Sequence, residues 1–202
     1  FKIIFSASSS LALIAAFKFC GTTFKSTIRA KAKIRIKKYR SYKGEIGRIA
    51  PNIINREFYC DRPYEKLVTD VTEVKINGVK GYLSPIMDMY NGEIISYSIS
   101  KQPSAMGILT ALETAIKITA DCPYRRTFHS DRGWAYQMSA YSYELSQNRI
   151  FQSMSRKGNC YDNSVMENFF GILKQEMYYG AVYYSFDELK EAIERYIIYY
   201  NE

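Results

Sequence analysis

From Lys66 onward the chain alternates apolar and polar residues with a period of two. The runs "KLVTDVTEVKI", "VKGYLSPIMDMY" and "EIISYSIS" carry the pattern, separated by Asn77-Gly78 and Asn91-Gly92. Asn-Gly is the favoured two-residue hairpin turn, because both central residues need positive φ. The pattern predicts a three-stranded antiparallel meander. From Ser104 to about Ala120 the period becomes helical. "YRRTFHS" then predicts a short strand ending at Asp131-Arg132-Gly133, followed by a helix near 135–147 and a strand "IFQSM" at 150–154. The polar, glycine-containing "SRKGNCY" (155–161) predicts a mobile loop. Next comes "DNSVMENFFGILK", a helix with Met166, Phe169, Phe170, Leu173 and Met177 on one stripe. Ser185-Phe186-Asp187-Glu188 fits a capping box and opens a last helix. Together these elements predict an α/β domain with a mixed five-stranded sheet, the meander plus two further strands, and helices on both faces.

Charge divides this chain of 202 residues, whose formal net charge is +8. Between Lys25 and Arg48, a stretch that includes Lys37, Lys38 and Arg40, ten Lys or Arg residues face one acid, Glu45. The rest is close to neutral. A basic segment beside a neutral domain suits a polyanionic partner such as nucleic acid, although a solvated arm has the same composition. Residues 3–20 are apolar but too short and too interrupted by serines and a lysine for a clean membrane span. No membrane association is expected. The organisation expected is an atypical segment at 1–22, a basic arm and linker at 23–60, and a folded core at 61–202. The four cysteines are far apart and the only histidine is His129, which excludes a clustered zinc site and suits reduced thiols in a cytoplasmic protein.

Four acids hold candidate chemistry. Asp70 lies mid-strand on the face of Val68, Thr72, Val74 and Ile76, where an ionised group is costly unless paired, hydrogen-bonded or bound to metal. If Asn77-Gly78 closes a two-residue turn, position 70 faces Pro85 and Asp88 points to the opposite face, so Asp88 reads as structural. A bulge near Pro85 could overturn that register. Asp131 ends a strand, where side chains project into a crevice at the sheet's edge, and equally fits a turn or cap aspartate. Glu167 sits on the shoulder of the apolar stripe, with Gly171 and Lys174 beyond it. Ser164-x-x-Glu167 also fits a capping box. Lys174 is roughly 10 Å up the axis, too far for a salt bridge with Glu167 and better placed to meet a separate anion. Carboxylates brought together repel unless a cation neutralises them, and hard oxygen donors suit Mg²⁺ or Mn²⁺. Two such ions suit phosphodiester chemistry.

Asp70, then Asp131, then Glu167 after 35 intervening residues, with Lys174 seven further on, resembles the DDE signature of retroviral integrases and related transposases. The local words "VTDVTE", "HSDRGWAYQ" and "SMSRKGNCYDNSVMENFFGILKQEM" agree with it. "KKYRSYKGEIGRIAPNIINREF" and the closing "YIIYYN" resemble OrfB-type transposases of bacterial insertion sequences.

The resemblance implies an RNase H-like core that binds the DNA of element ends and target and self-associates on it. It implies Asp70, Asp131 and Glu167 as the metal-binding catalytic triad and Lys174 as a DNA contact. His129 and Asn163 stand beside the triad as its supports. The implied reaction is Mg²⁺-dependent strand cleavage, then strand transfer by 3′-OH transesterification in DNA transposition and integration. Arg156 and Lys157, in the predicted loop, are further candidate DNA contacts, as are Lys37, Lys38 and Arg40 in the arm; loop solubility explains the first two as readily. Leu67 stands where the family usually has Trp. The family's companion helix-turn-helix region has no counterpart here, and the family continues past "YYN". A non-catalytic DNA-binding remnant of a decayed insertion element is the alternative reading.

Overall fold

A computed structural model of the chain describes residues 47–178 and 181–202. The expectations placed on residues 1–22 and on Lys37, Lys38 and Arg40 lie outside the described residues.

The sheet contains β1 (Lys66–Thr69), β2 (Thr72–Ile76), β3 (Val79–Asp88), β4 (Ile94–Ser100), β5 (Thr127–Ser130) and β6 (Phe151–Met154). Helices α1 (Ala105–Ile118), α2 (Ser139–Gln147), α3 (Ser164–Tyr178) and α4 (Phe186–Asn201) complete the domain. β3 pairs antiparallel with β4 on one side and with β1 and β2, end to end, on the other. β1, β5 and β6 then run parallel. This is the expected RNase H-like arrangement, an antiparallel meander continued by parallel strands.

Six strands stand where five were expected, because the first run is interrupted at Asp70 and Val71. Its register is nevertheless unbroken: Ile76 opposes Val79, Thr72 opposes Leu83 and Thr69 opposes Ile86. Counting from the hairpin, 70 and 85 should form a hydrogen-bonded pair. Pro85 has no N–H to give. The ladder lapses there, and the Asp70 carboxylate accepts from the Val71 amide at 2.7 Å. The bulge that threatened this register lies on the other side of β3, between Ile86 and Met87 in the pairing with β4.

The first hairpin has its expected turn, with Asn77 and Gly78 at φ 50° and 87°. The second does not. Gly92 alone is left-handed there, at φ 80°, and Asp88 N–H donates to Glu93 O across a wider loop. Asp88 explains the difference. It is fully buried, and its two carboxylate oxygens accept from the Tyr64 and Tyr90 amides, so it organises backbone as expected of a structural acid.

Each face of the sheet has its own core. Leu67, Ile86 and Phe128 pack with α1 and α2 on one; Val68, Val74, Leu83 and Met87 pack with α3 and α4 on the other. Leu67, in place of the family's Trp, is wholly buried. The α3 stripe of Met166, Phe169, Phe170, Leu173 and Met177 is buried as its spacing predicts. Each such side chain contributes about 1.5–3 kcal/mol. Ser164 has helical angles (φ −61°, ψ −28°) and therefore does not cap α3, which instead follows a 3₁₀ turn at Cys160–Asn163. At α4 the Ser185 hydroxyl does accept from Glu188 N–H, while the Glu188 carboxylate reaches one residue further out, to Tyr184 N–H.

Residues 50–54 are not a free linker. Met154 N–H donates to Pro51 O, and the Ser153 hydroxyl accepts from the Ile53 and Ile54 amides, so this segment lies along the outer side of β6. No helix among the described residues is long and apolar enough to cross a membrane.

Candidate active site

Thr69 and Ser130 are partners in the parallel pairing of β1 with β5. The next residues, Asp70 and Asp131, therefore leave neighbouring strand ends together, at the carboxyl edge where parallel sheets form crevices. Both line one crevice, together with Gly133, Trp134 and Tyr136.

Each acid is held from a second side. Asp70 Oδ2 accepts from the Asn163 amide at 3.0 Å. Asp131 Oδ1 accepts from Gly133 N–H at 2.7 Å. A Cβ on Gly133 would stand 2.8 Å from that same oxygen, so the turn needs glycine for space. Burial, and then the charge of Asp131, push the Asp70 carboxyl up to about 7. The Val71 amide works against that rise, Glu167 adds to it, and the Asn163 amide also opposes it. Burial likewise raises Asp131, against the stabilising Gly133 amide. Two carboxylates that cannot comfortably ionise together form a donor set suited to a hard cation.

Glu167 is brought into this field but not into the crevice. It lies exposed on the first turn of α3. Among the described residues, no three His, Cys, Asp or Glu side chains converge into a complete metal-binding group. Lys174 is partly buried on the same helix, and its charge reaches Glu73 on β2. There the Tyr82 hydroxyl first, then Lys80, Lys75 and Lys174, hold the Glu73 carboxyl below its ordinary value. Gly171 is exposed with open space around its Cβ position.

His129 is almost fully buried. Its Nδ1 lies 2.8 Å from the Ser153 hydroxyl and its Nε2 2.9 Å from Asp162 O. Burial lowers its pKa, which keeps the ring neutral, a pin between β5, β6 and the turn before α3.

Asp162 escaped the sequence reasoning. Its side chain is fully buried, yet it accepts from Asn52 Nδ2, Arg56 Nε, and the Arg156 backbone N–H and guanidinium, at 2.9–3.0 Å. The Arg156 side chain foremost holds its carboxyl well below the usual range. No periodicity marks such a residue; the only signal was an acid followed directly by Asn163, a few residues after Arg156-Lys157. Arg156 is thus committed to an ion pair, and Ser155 and Arg156 fix the start of the 155–161 segment to β5 and Asp162. Lys157 is exposed.

Two integrase core domain families match the chain, one over residues 61–160 and one over 167–202. The putative transposase InsK of insertion sequence IS150 from Escherichia coli is 49% identical over 176 residues, covering 87% of this chain and 62% of its own length. An uncharacterized transposase-like protein of Haemophilus influenzae is 47% identical over 171 residues, covering 85% of this chain and 78% of its own. The transposase InsF of IS3fB from E. coli is 29% identical over 170 residues, covering 84% and 58%. This chain therefore spans about six-tenths to eight-tenths of those relatives. Among solved structures, the HTLV-2 integrase catalytic core domain in complex with magnesium is 22% identical at a TM-score of 0.44, covering 56% of this chain and 69% of that one. On the strength of the integrase core matches and these sequence relatives, the chain belongs to the integrase-core transposases, the family of the bacterial insertion-sequence proteins it matches.

Proposed function

We propose that this core cuts DNA strands at the ends of a mobile element and joins them to a target, with Asp70, Asp131 and Glu167 as its metal-binding catalytic set. The observation that carries the reading is the placement of Asp70 and Asp131 on adjacent parallel strand ends in one crevice, each raised in pKa by burial.

A Mg²⁺ or Mn²⁺ ion bound there supplies Lewis-acid activation and neutralises charge on a phosphodiester. Asp70 and Asp131 would hold it from the strand ends, and Glu167 would join them from the first turn of α3, outside the crevice. Asn163 and the Gly133 amide orient the first two carboxylates. In cleavage, a water oxygen forms a bond to phosphorus as the bridging bond to the 3′ oxygen breaks, leaving a free 3′-OH. In transfer, that 3′ oxygen bonds to a target phosphorus as the target's own ester bond breaks. No side-chain nucleophile takes part, so no protein–DNA covalent species forms. Lys174 and Lys157, with Lys37, Lys38 and Arg40 of the arm, meet phosphates, whereas Arg156 acts through Asp162. Backbone contacts of this kind position DNA without reading its sequence. Self-association on DNA brings two element ends together.

The test is a nicking and strand-transfer assay of the full chain on terminal-repeat DNA with Mg²⁺. Asp70→Asn, Asp131→Asn and Glu167→Gln should each abolish both steps. Activity that survives any of the three overturns the assignment.

A further inference from the structure

The crevice beside Asp70 and Asp131 extends well past the two acids. It runs under the start of α1 across a floor of serines from β3 and β4, and encloses about 190 Å³. Ser84 and Ser98 are cross-strand partners on that floor. Ser84 is 4% exposed and its hydroxyl has no hydrogen-bond partner among the described residues. A buried hydroxyl left unpaired is costly, so its partner is expected from outside the protein. One water needs only about 15 Å³, and the crevice is far larger. Its lining includes no Lys, Arg or His, and two carboxylates stand at its mouth, so it repels a free anion. Val71, Ile108 and Ala135 give the remaining walls apolar stretches beside the tyrosines Tyr82 and Tyr136. Trp134 borders the opening with 44% of its surface exposed, the posture of a stacking surface and not of a core residue.

A flat, neutral group with polar edges fits this lining. We infer that the crevice receives an unstacked nucleobase from the nucleotide flanking the reacting phosphodiester, with Trp134 as its stacking face and Ser84 as its hydrogen-bonding partner. The inference rests on the strand-transfer reading, since it is a divalent ion held by Asp70 and Asp131 that would bring a phosphodiester to the mouth. A hydroxyl both donates and accepts, so the pocket takes different bases; stacking, not base identity, sets its strength.

Trp134 is the chain's only tryptophan, so its emission reports occupancy directly. The full chain is titrated with a labelled single-stranded oligonucleotide and with the same backbone lacking bases, following anisotropy and Trp134 emission together. Both DNAs should raise anisotropy, and only the one with bases should quench emission. Ser84→Val, which fills the floor, should weaken the quench about 10-fold and leave binding of the base-free strand unchanged. Ser84→Ala, which removes only the hydroxyl, should weaken it less. Anisotropy without a quench, or an equal quench by the base-free strand, overturns the nucleobase site and leaves the DNA reading standing. No anisotropy change with either DNA overturns both.

Discussion

Asn163 Nδ2 donates to Asp70 Oδ2 at 3.0 Å, joining the turn that launches α3 to the break between β1 and β2. Through this bond the position of one acid depends on the start of the helix that carries another, Glu167. Partners that orient metal ligands in this way typically matter 10- to 100-fold for affinity or rate. Asn163→Ala should therefore weaken divalent-ion binding by roughly that factor, measured by calorimetry, with little change in melting temperature. It should also leave a signature in pH. The amide favours the ionised Asp70, so its loss raises that pKa and moves the acid limb of the rate profile to higher pH.

The raised Asp70 carboxyl predicts a pH-dependent stability in chelator. The unfolded group titrates near about 3.9, and the folded one at about 7. Between those values the native state binds more protons, so Asp70's contribution is present below about pH 4 and is lost as pH rises through about 7. Asp70→Asn removes the dependence. At pH 8 the variant should melt several degrees above the parent, and below pH 4 the two should coincide. Mg²⁺ or Mn²⁺ should then raise the melting temperature of the parent at pH 8 and not that of the variant.

Gly133 tests space rather than charge. Its φ of −58° suits alanine, but the added Cβ meets Asp131 Oδ1 at 2.8 Å. Gly133→Ala should push that carboxylate off its amide and lower nicking by roughly 10- to 100-fold. Circular dichroism and melting should change little. Unimpaired nicking would show that the Asp131 position is not set by this turn.

Asp162→Asn should act on stability first. The change leaves Arg56 and Arg156 without their shared anion, and because both guanidinium groups are about half exposed the cost should be about 2 kcal/mol rather than the 3–5 of a fully buried pair. Its folded pKa is depressed, so this stability is present at neutral pH and is lost as pH falls below the ordinary aspartate range. Urea unfolding at pH 7 and again at pH 3 should show the gap between variant and parent narrowing.

Sequence pattern foretold most of the frame, because hairpin register and helix stripes are local. Asn77-Gly78 placed position 70 opposite Pro85, and the ladder keeps that count. What pattern missed was side-chain competition for backbone. Asp88 widens the Asn91-Gly92 connection, Asp70 takes the amide that follows it, and Ser164 is already inside its helix. Asp70 was legible as a candidate from its place on a largely apolar strand face, Asp131 from its strand end, and both from resemblance. The parallel register that sets them side by side joins residues about sixty positions apart, and Asp162 reaches Asn52 and Arg56 across 110 and 106 positions. No window of sequence displays those.

The strip from Pro51 to Ile54 also decides where the domain can be cut. A fragment begun at residue 61, where the family match starts, would strip the cover from β6 and remove Asn52 and Arg56 from Asp162. A bare parallel edge is a template for pairing with other chains. Such a fragment should aggregate when expressed, whereas one begun upstream of Ala50 should stay dispersed.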